Sequence, residues 1–191
     1  MDVRENRSAD VRQVQREAFG GRSGKVVADL VGDLLRDPAA LSLAATENGR
    51  ILGHVMFVRS LLDAPPRLVE VRTLSPLGVL PAYQRKGVGT ALIRHGLALL
   101  EERRVPLVFV EGDPAYYRRA GFEPAGGYGF RRPSLRIPEA AFQVRLLSAY
   151  ESWMTGTLVY PAPFWEHDAV GLRDVPPPPG SGADRPGMGV P

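Results

Sequence analysis

The stretch from Leu68 to Val110 constrains the fold more than any other part of the chain. Leu68 to Leu80 reads as extended, and Pro81 to Lys86 as a loop. From Val88 to Arg103, the residues Val88, Ala91, Leu92, His95, Gly96, Leu99 and Leu100 recur at i, i+3, i+4 spacing, which predicts a helix. Val105 to Val110 is a compact apolar run, the pattern of a buried strand with parallel neighbours. Strand, crossover helix and strand make a βαβ unit. Such a unit is right-handed, and its second strand is parallel to the first where the two share a sheet.

The segment before it follows different periods. Val11, Val14, Gln15 and Ala18 fall on one helical face between Ser8 and Phe19, and Gly20-Gly21 is expected to break that helix. A second helix is predicted over about Lys25 to Arg36, with Val27, Leu30, Val31, Leu34 and Leu35 as its stripe. Leu41 to Thr46 and Ile51 to Leu61 then read as strands. Asn48-Gly49 between them is a strong hairpin signal. The expected class is therefore α/β in the α+β sense: a mixed sheet in which an antiparallel meander is followed by a parallel βαβ unit. After Asp113-Pro114, which suits a helix start, Ala115 to Ala120 reads as a short helix ended by Gly121. Ala140 to Leu147 and Gly156 to Tyr160 read as two more strands.

A chain of 191 residues suits one domain with a core that needs no staples. We expect a single domain over 1–172, with a core at 1–130 and an extension at 131–172. The Pro/Gly-rich residues 173–191 are expected to be a disordered tail. There is no cysteine, which excludes disulfides, cysteine-bound zinc and a thiol nucleophile, and favours the cytoplasm. The charged start is no secretory signal, and no run approaches the roughly 18 apolar residues of a membrane span. A net charge of +3, spread along the chain, permits an anionic small molecule but lacks the dense basic stripe of a nucleic-acid binder. No nucleic-acid or membrane partner is expected. A homodimer is left open.

The chemistry starts at Val79-Leu80-Pro81-Ala82-Tyr83-Gln84-Arg85-Lys86-Gly87-Val88-Gly89-Thr90. Here a strand runs through a glycine-containing turn into a helix. The first amides of a helix lack intrahelical partners, and the helix dipole adds positive character at that end. The result is an anion site fit for a pyrophosphate. Gly87 and Gly89 would let phosphate oxygens approach the backbone, and Arg85 and Lys86 add charge at the rim. The spacing matches neither the P-loop nor the Rossmann dinucleotide fingerprint.

Gln84-x-x-Gly87-x-Gly89, preceded by Val-x-Pro, resembles the acetyl-CoA loop of the GNAT superfamily of N-acetyltransferases. Ala115-Tyr116-Tyr117-Arg118-Arg119-Ala120-Gly121-Phe122 is similar to that family's second signature, and the order of elements matches as well. The resemblance covers about residues 1–130. Gly112-Asp113-Pro114-Ala115-Tyr116-Tyr117, Pro133-Ser134-Leu135-Arg136-Ile137-Pro138 and Gly156-x-Leu-Val-Tyr-Pro161 are similar to the bacterial YhbS-like subgroup.

The resemblance implies a GNAT-like sheet splayed at the acetyl-CoA site, with helices on both faces. It implies acetyl-CoA as co-substrate, a primary amine as acceptor, direct transfer and no metal. It places the pyrophosphate on Gln84, Arg85, Lys86, Gly87, Val88, Gly89 and Thr90, and the pantetheine arm on the edge of Leu77, Gly78 and Val79. Gly78, a glycine inside a strand, is expected to mark the bulge behind the splay. Tyr117 sits at the family's tyrosine and is implied to be the general acid, with Tyr116 as its packing neighbour. No family position identifies the base, for which Glu70, Glu111 and His54 are the candidates. Where many relatives carry asparagine, this chain has Val110-Glu111-Gly112-Asp113, and Asp113 is expected to cap the helix instead. Two alternatives stay open: a non-catalytic acyl-CoA sensor, and transfer of a longer acyl chain.

Overall fold

The computed structural model of the protein describes residues 1–171, so the tail expected at 173–191 lies outside the described residues. Asn48 and Gly49 both take left-handed φ values, 49° and 77°, as a two-residue hairpin turn with the native strand twist requires. They join β2 (Leu41–Glu47) to β3 (Arg50–Asp63). On its other edge β3 pairs antiparallel with β4 (Leu68–Val79). After β4, helix α3 (Val88–Glu102) crosses to β5 (Leu107–Glu111), which runs parallel to β4. The meander and the βαβ unit are therefore both present.

Among the described residues the sheet has nine strands, in the order β1-β2-β3-β4-β5-β8-β6 along its main path. Strand β1 (Asp2–Glu5) was not expected. Its sequence Asp-Val-Arg-Glu has one apolar residue and no readable period, and the charges suit an edge strand. Residues beyond 130 complete the sheet. Strand β8 (Phe142–Leu146) pairs antiparallel with β5, and β6 (Glu123–Pro124) pairs with β8. Strand β9 (Gly156–Val159) takes the edge of β3 at Leu61–Asp63, beyond the end of β2, and carries the two-residue β7 (Phe130–Arg131).

Both faces of the sheet are buried, which explains the near-continuous apolar runs in β3 and β5. Met56, Val58 and Phe109 point to one face, against α1 (Asp10–Phe19) and α2 (Gly21–Leu34) through Val11, Leu30, Val31 and Leu34. Val55, Phe57, Val108 and Val110 point to the other, against Val88, Leu92, Ile93 and Leu100 of α3. The edge of the predicted α3 stripe falls differently, because His95 is exposed.

Helix α3 lies so close to the sheet that a Cβ on Gly96 would stand 2.0 Å from Cε2 of Phe57. Gly96→Ala, which would stabilise an open helix, is therefore expected to destabilise this one. Overpacking of about 1–3 kcal/mol corresponds to a fall in Tm of several degrees at roughly 2–4 °C per kcal/mol. A thermal denaturation curve checks this. Adding Phe57→Leu should restore part of the loss.

Candidate active site

Strands β4 and β5 pair only where Arg72–Leu74 face Val108–Val110. Beyond Leu74 they part, and a cleft of about 890 Å³ opens between them. The irregularity that starts the parting lies where Leu74 and Leu77 face Phe57 and Val55, so the extra residue is at Ser75–Pro76. This corrects the expectation for Gly78, which faces His54 in regular register. Proline supplies no N–H to a ladder and marks the break better than glycine does. Gly78 is small for another reason. A Cβ there would lie 2.3 Å from Gln15 Oε1 and 3.0 Å from the Ala18 methyl, both on α1.

Leu80 donates its N–H to the Leu52 carbonyl at 2.9 Å. By the alternation of an antiparallel ladder, Leu77 and Val79 turn their backbone groups to the opposite, open side. Gln84 Nε2 donates to the Val79 carbonyl at 3.1 Å, so the motif glutamine ties the loop back to the strand it follows.

The loop itself is a curl of left-handed residues. Arg85 has φ 59° and Gly87 has φ 85°. Gly87 is the N-cap of α3 and supplies no side chain to its first amides, and no acidic residue stands in the first turn. The helix thus begins with uncapped donors directed outward, the arrangement that receives anions. A Cβ on Gly87 would meet nothing within 4 Å, so the space before the helix is open. The rim is basic, with Lys86 Nζ 5.4 Å and the Arg50 guanidinium 5.7 Å from the Tyr83 ring centre.

Tyr117 comes from α4 (Pro114–Tyr117), whose N-cap Asp113 accepts the Ala115 N–H at 2.9 Å, as expected. Gly112 makes room for the tyrosine ring: a Cβ there would be 2.4 Å from Tyr117 Cε2. The ring packs edge-on against Tyr116 and Phe122, and Tyr117 lines the cleft. Burial, helped by Tyr116 and Asp113, raises its pKa above that of a free tyrosine, so the hydroxyl keeps its proton at neutral pH.

The three candidate bases are not brought together. Glu111 ends β5 inside the cleft, and burial raises its pKa even though the Gly171 N–H and the charge of Arg136 favour the carboxylate. Glu70 lies toward the far end of β4 and does not line the cleft. Burial acts to raise its pKa, but Arg72 Nη1 and Arg59 Nε, each at 2.8 Å, hold the carboxyl below its ordinary range. His54 is fully buried. Gln15 Nε2 donates to its Nδ1 at 2.8 Å and to its carbonyl at 3.0 Å, which leaves the ring proton on Nε2, facing Ser42 Oγ at 2.9 Å. Ser42 in turn donates to the Asn6 carbonyl. Burial pushes the ring pKa down to about 3, so His54 is a neutral link between α1, β2 and β3.

The comparisons with known proteins agree with this geometry. The family model described as Acetyltransferase (GNAT) family matches residues 8–122.

The chain belongs to the GNAT family of acetyltransferases.

It is 39% identical over 156 residues to the uncharacterized N-acetyltransferase YjhQ of Escherichia coli (strain K12), covering 78% of this chain and 84% of that protein. It is 36% identical over 138 residues to the uncharacterized N-acetyltransferase YhbS of the same strain, covering 70% and 80%. The crystal structure of Escherichia coli YhbS in complex with CoA superposes with a TM-score of 0.74 at 31% identity, over 85% of this chain and 90% of that one. A GNAT family acetyltransferase from Brucella melitensis in complex with acetyl-CoA gives 0.67 at 33% identity, over 85% and 97%.

The wall of this acetyltransferase's cleft also includes residues of α2 that the sequence did not single out for the site. Val26 and Val27 of α2 line it together with Tyr160 and Phe164, the latter on α5 (Ala162–Glu166). A contact of His167 Nε2 with Asp33 Oδ2 at 2.7 Å fastens the segment after α5 to α2. Tyr160 and Phe164 lie outside the family match. Both belong to the core cluster against which two other aromatics of the extension, Tyr150 and Trp153, also pack.

Proposed function

We propose that the protein moves an acetyl group from acetyl-CoA directly to a primary amine. The observation that carries this is the pairing of two features at one cleft. The uncapped amides of α3 follow a strand edge with outward backbone groups, and that edge, Tyr117 and Glu111 line one cleft. The first two can hold the pyrophosphate and the pantetheine arm, with Leu77 and Val79 pairing the arm as a strand would. CoA and acetyl-CoA in the two structural relatives support the assignment.

In this proposal the amine nitrogen attacks the thioester carbonyl carbon, and the carbon–sulfur bond breaks. Glu111 takes the proton that the amine loses, and Tyr117 gives one to the departing sulfur. A proton passed from Glu111 to Tyr117 through solvent resets the site. No thiol is present to carry the acetyl group covalently, and direct transfer needs none. Glu111 suits the base because its raised pKa brings it nearer to working pH. A base acts only when deprotonated. The acidic limb of kcat/KM should therefore lie above the pH at which an exposed glutamate titrates. Glu111→Gln should remove that limb and lower kcat/KM by about 10²-fold or more. A pH–rate profile that keeps its acidic limb in this variant would exclude Glu111.

The first test is thermal stability with acetyl-CoA. A ligand at about 100 times its Kd adds about 2.7 kcal/mol, which is a rise of about 5–10 °C for a chain of this size. No rise with acetyl-CoA, CoA or longer acyl thioesters would overturn the proposal.

A further inference from the structure

Gly87 and Gly89 are small for different reasons. The space at Gly87 is open, whereas a Cβ on Gly89 would stand 2.3 Å from the Tyr116 hydroxyl and 3.6 Å from the ring carbon bearing it. One oxygen atom of one tyrosine therefore excludes a side chain at the first turn of α3. The Thr90 side chain lies beside the same hydroxyl, and Tyr116 lines the cleft. Tyr116 thus does more than pack. Its hydroxyl reaches from α4 to the start of α3, and its ring packs edge-on against Tyr117 at 5.0 Å between centres.

We propose that Tyr116 is a coenzyme-positioning residue: its hydroxyl, seated over Gly89, completes the phosphate seat, and through its ring sets the place of Tyr117. This rests on the acetyl-CoA assignment above and adds a side-chain donor to a seat otherwise made of backbone. It also gives Gly89 a purpose separate from phosphate approach, namely room for that hydroxyl.

The test compares wild type with Gly89→Ala, Tyr116→Phe and the double variant. Two quantities are read: the Tm without ligand, and the Kd for acetyl-CoA and for S-acetylpantetheine, which has no phosphates. Gly89→Ala should lower Tm, and Tyr116→Phe in the same chain should recover most of the loss, since the remaining ring carbon is at ordinary contact distance. Tyr116→Phe alone should weaken acetyl-CoA binding on the order of tenfold, the usual worth of a hydrogen bond to a charged group. S-acetylpantetheine binding should be unchanged.

A double variant as unstable as Gly89→Ala would overturn the account of Gly89. Wild-type acetyl-CoA affinity in Tyr116→Phe, or equal weakening for both thioesters, would overturn the phosphate-seat role. Failure of the wild-type protein to bind acetyl-CoA would instead overturn the acetyl-CoA assignment, and the positioning role with it. The recovery of Tm is read without any ligand and separates the two failures.

Discussion

Tyr117→Phe is expected to lower turnover by about 10²- to 10⁴-fold, the range for loss of a positioned proton donor, and to leave acetyl-CoA affinity nearly intact. The ring's packing against Tyr116, Phe122 and Gly112 survives the substitution, because no hydroxyl takes part in those contacts. What is removed is an O–H kept protonated by burial in the cleft. A steady-state assay with any accepted amine, together with acetyl-CoA titration of the same preparation, separates kcat from coenzyme binding. A further consequence follows from the raised pKa. The wild-type rate should show no basic limb from Tyr117 near pH 10, the ordinary tyrosine value. An amine reacting as fast with the phenylalanine variant as with wild type, across pH, would remove Tyr117 from the chemistry and leave it a packing role.

Gly87→Val should abolish measurable acetyl-CoA binding, a loss of at least about a hundredfold, since several hydrogen bonds to charged oxygens go together. The cause lies in the backbone. Gly87 holds φ 85°, where a β-branched residue is a genuine outlier. Valine would pull the turn toward a negative φ and swing the first amides of α3 away from the cleft. Asparagine tolerates the left-handed region, and the position around Gly87 is open, so Gly87→Asn should bind far better than the valine variant. Calorimetric titration of both decides the matter. Equal loss would mean that any Cβ at 87 meets the phosphate itself.

The local elements were legible because their signals are local. Asn48-Gly49 and the change of period after Leu80 depend on neighbouring residues, and the hairpin and the βαβ unit follow from them. The start of α2 at Gly21, four residues before the predicted Lys25, was hidden by three weak helix formers. The close approach of α1 overrides their propensity: a Cβ on Gly24 would lie 2.2 Å from the Arg16 carbonyl. The anion loop was legible for the same reason as the hairpin. The place of the bulge was not, because Ser75-Pro76 and Gly78 are equally plausible breaks until the register with Val55 and Phe57 is known. Glu70 and Glu111 likewise look alike as carboxylates on strands. Only the surroundings of each strand end distinguish them: two guanidiniums for one, burial in the cleft for the other.

The seating of β9 on β3 bears on how the chain acquires its structure. One edge of Leu61–Asp63 is met at once by β4, but the other waits for residues 157–159, close to a hundred positions later. Until then a stretch of apolar backbone stays open to pairing with any passing strand, the situation that favours misassembly between chains. Truncation before Gly156 would leave that edge exposed permanently. The strand that leads into the cleft wall is thus also the guard that keeps neighbouring copies from adding to the sheet.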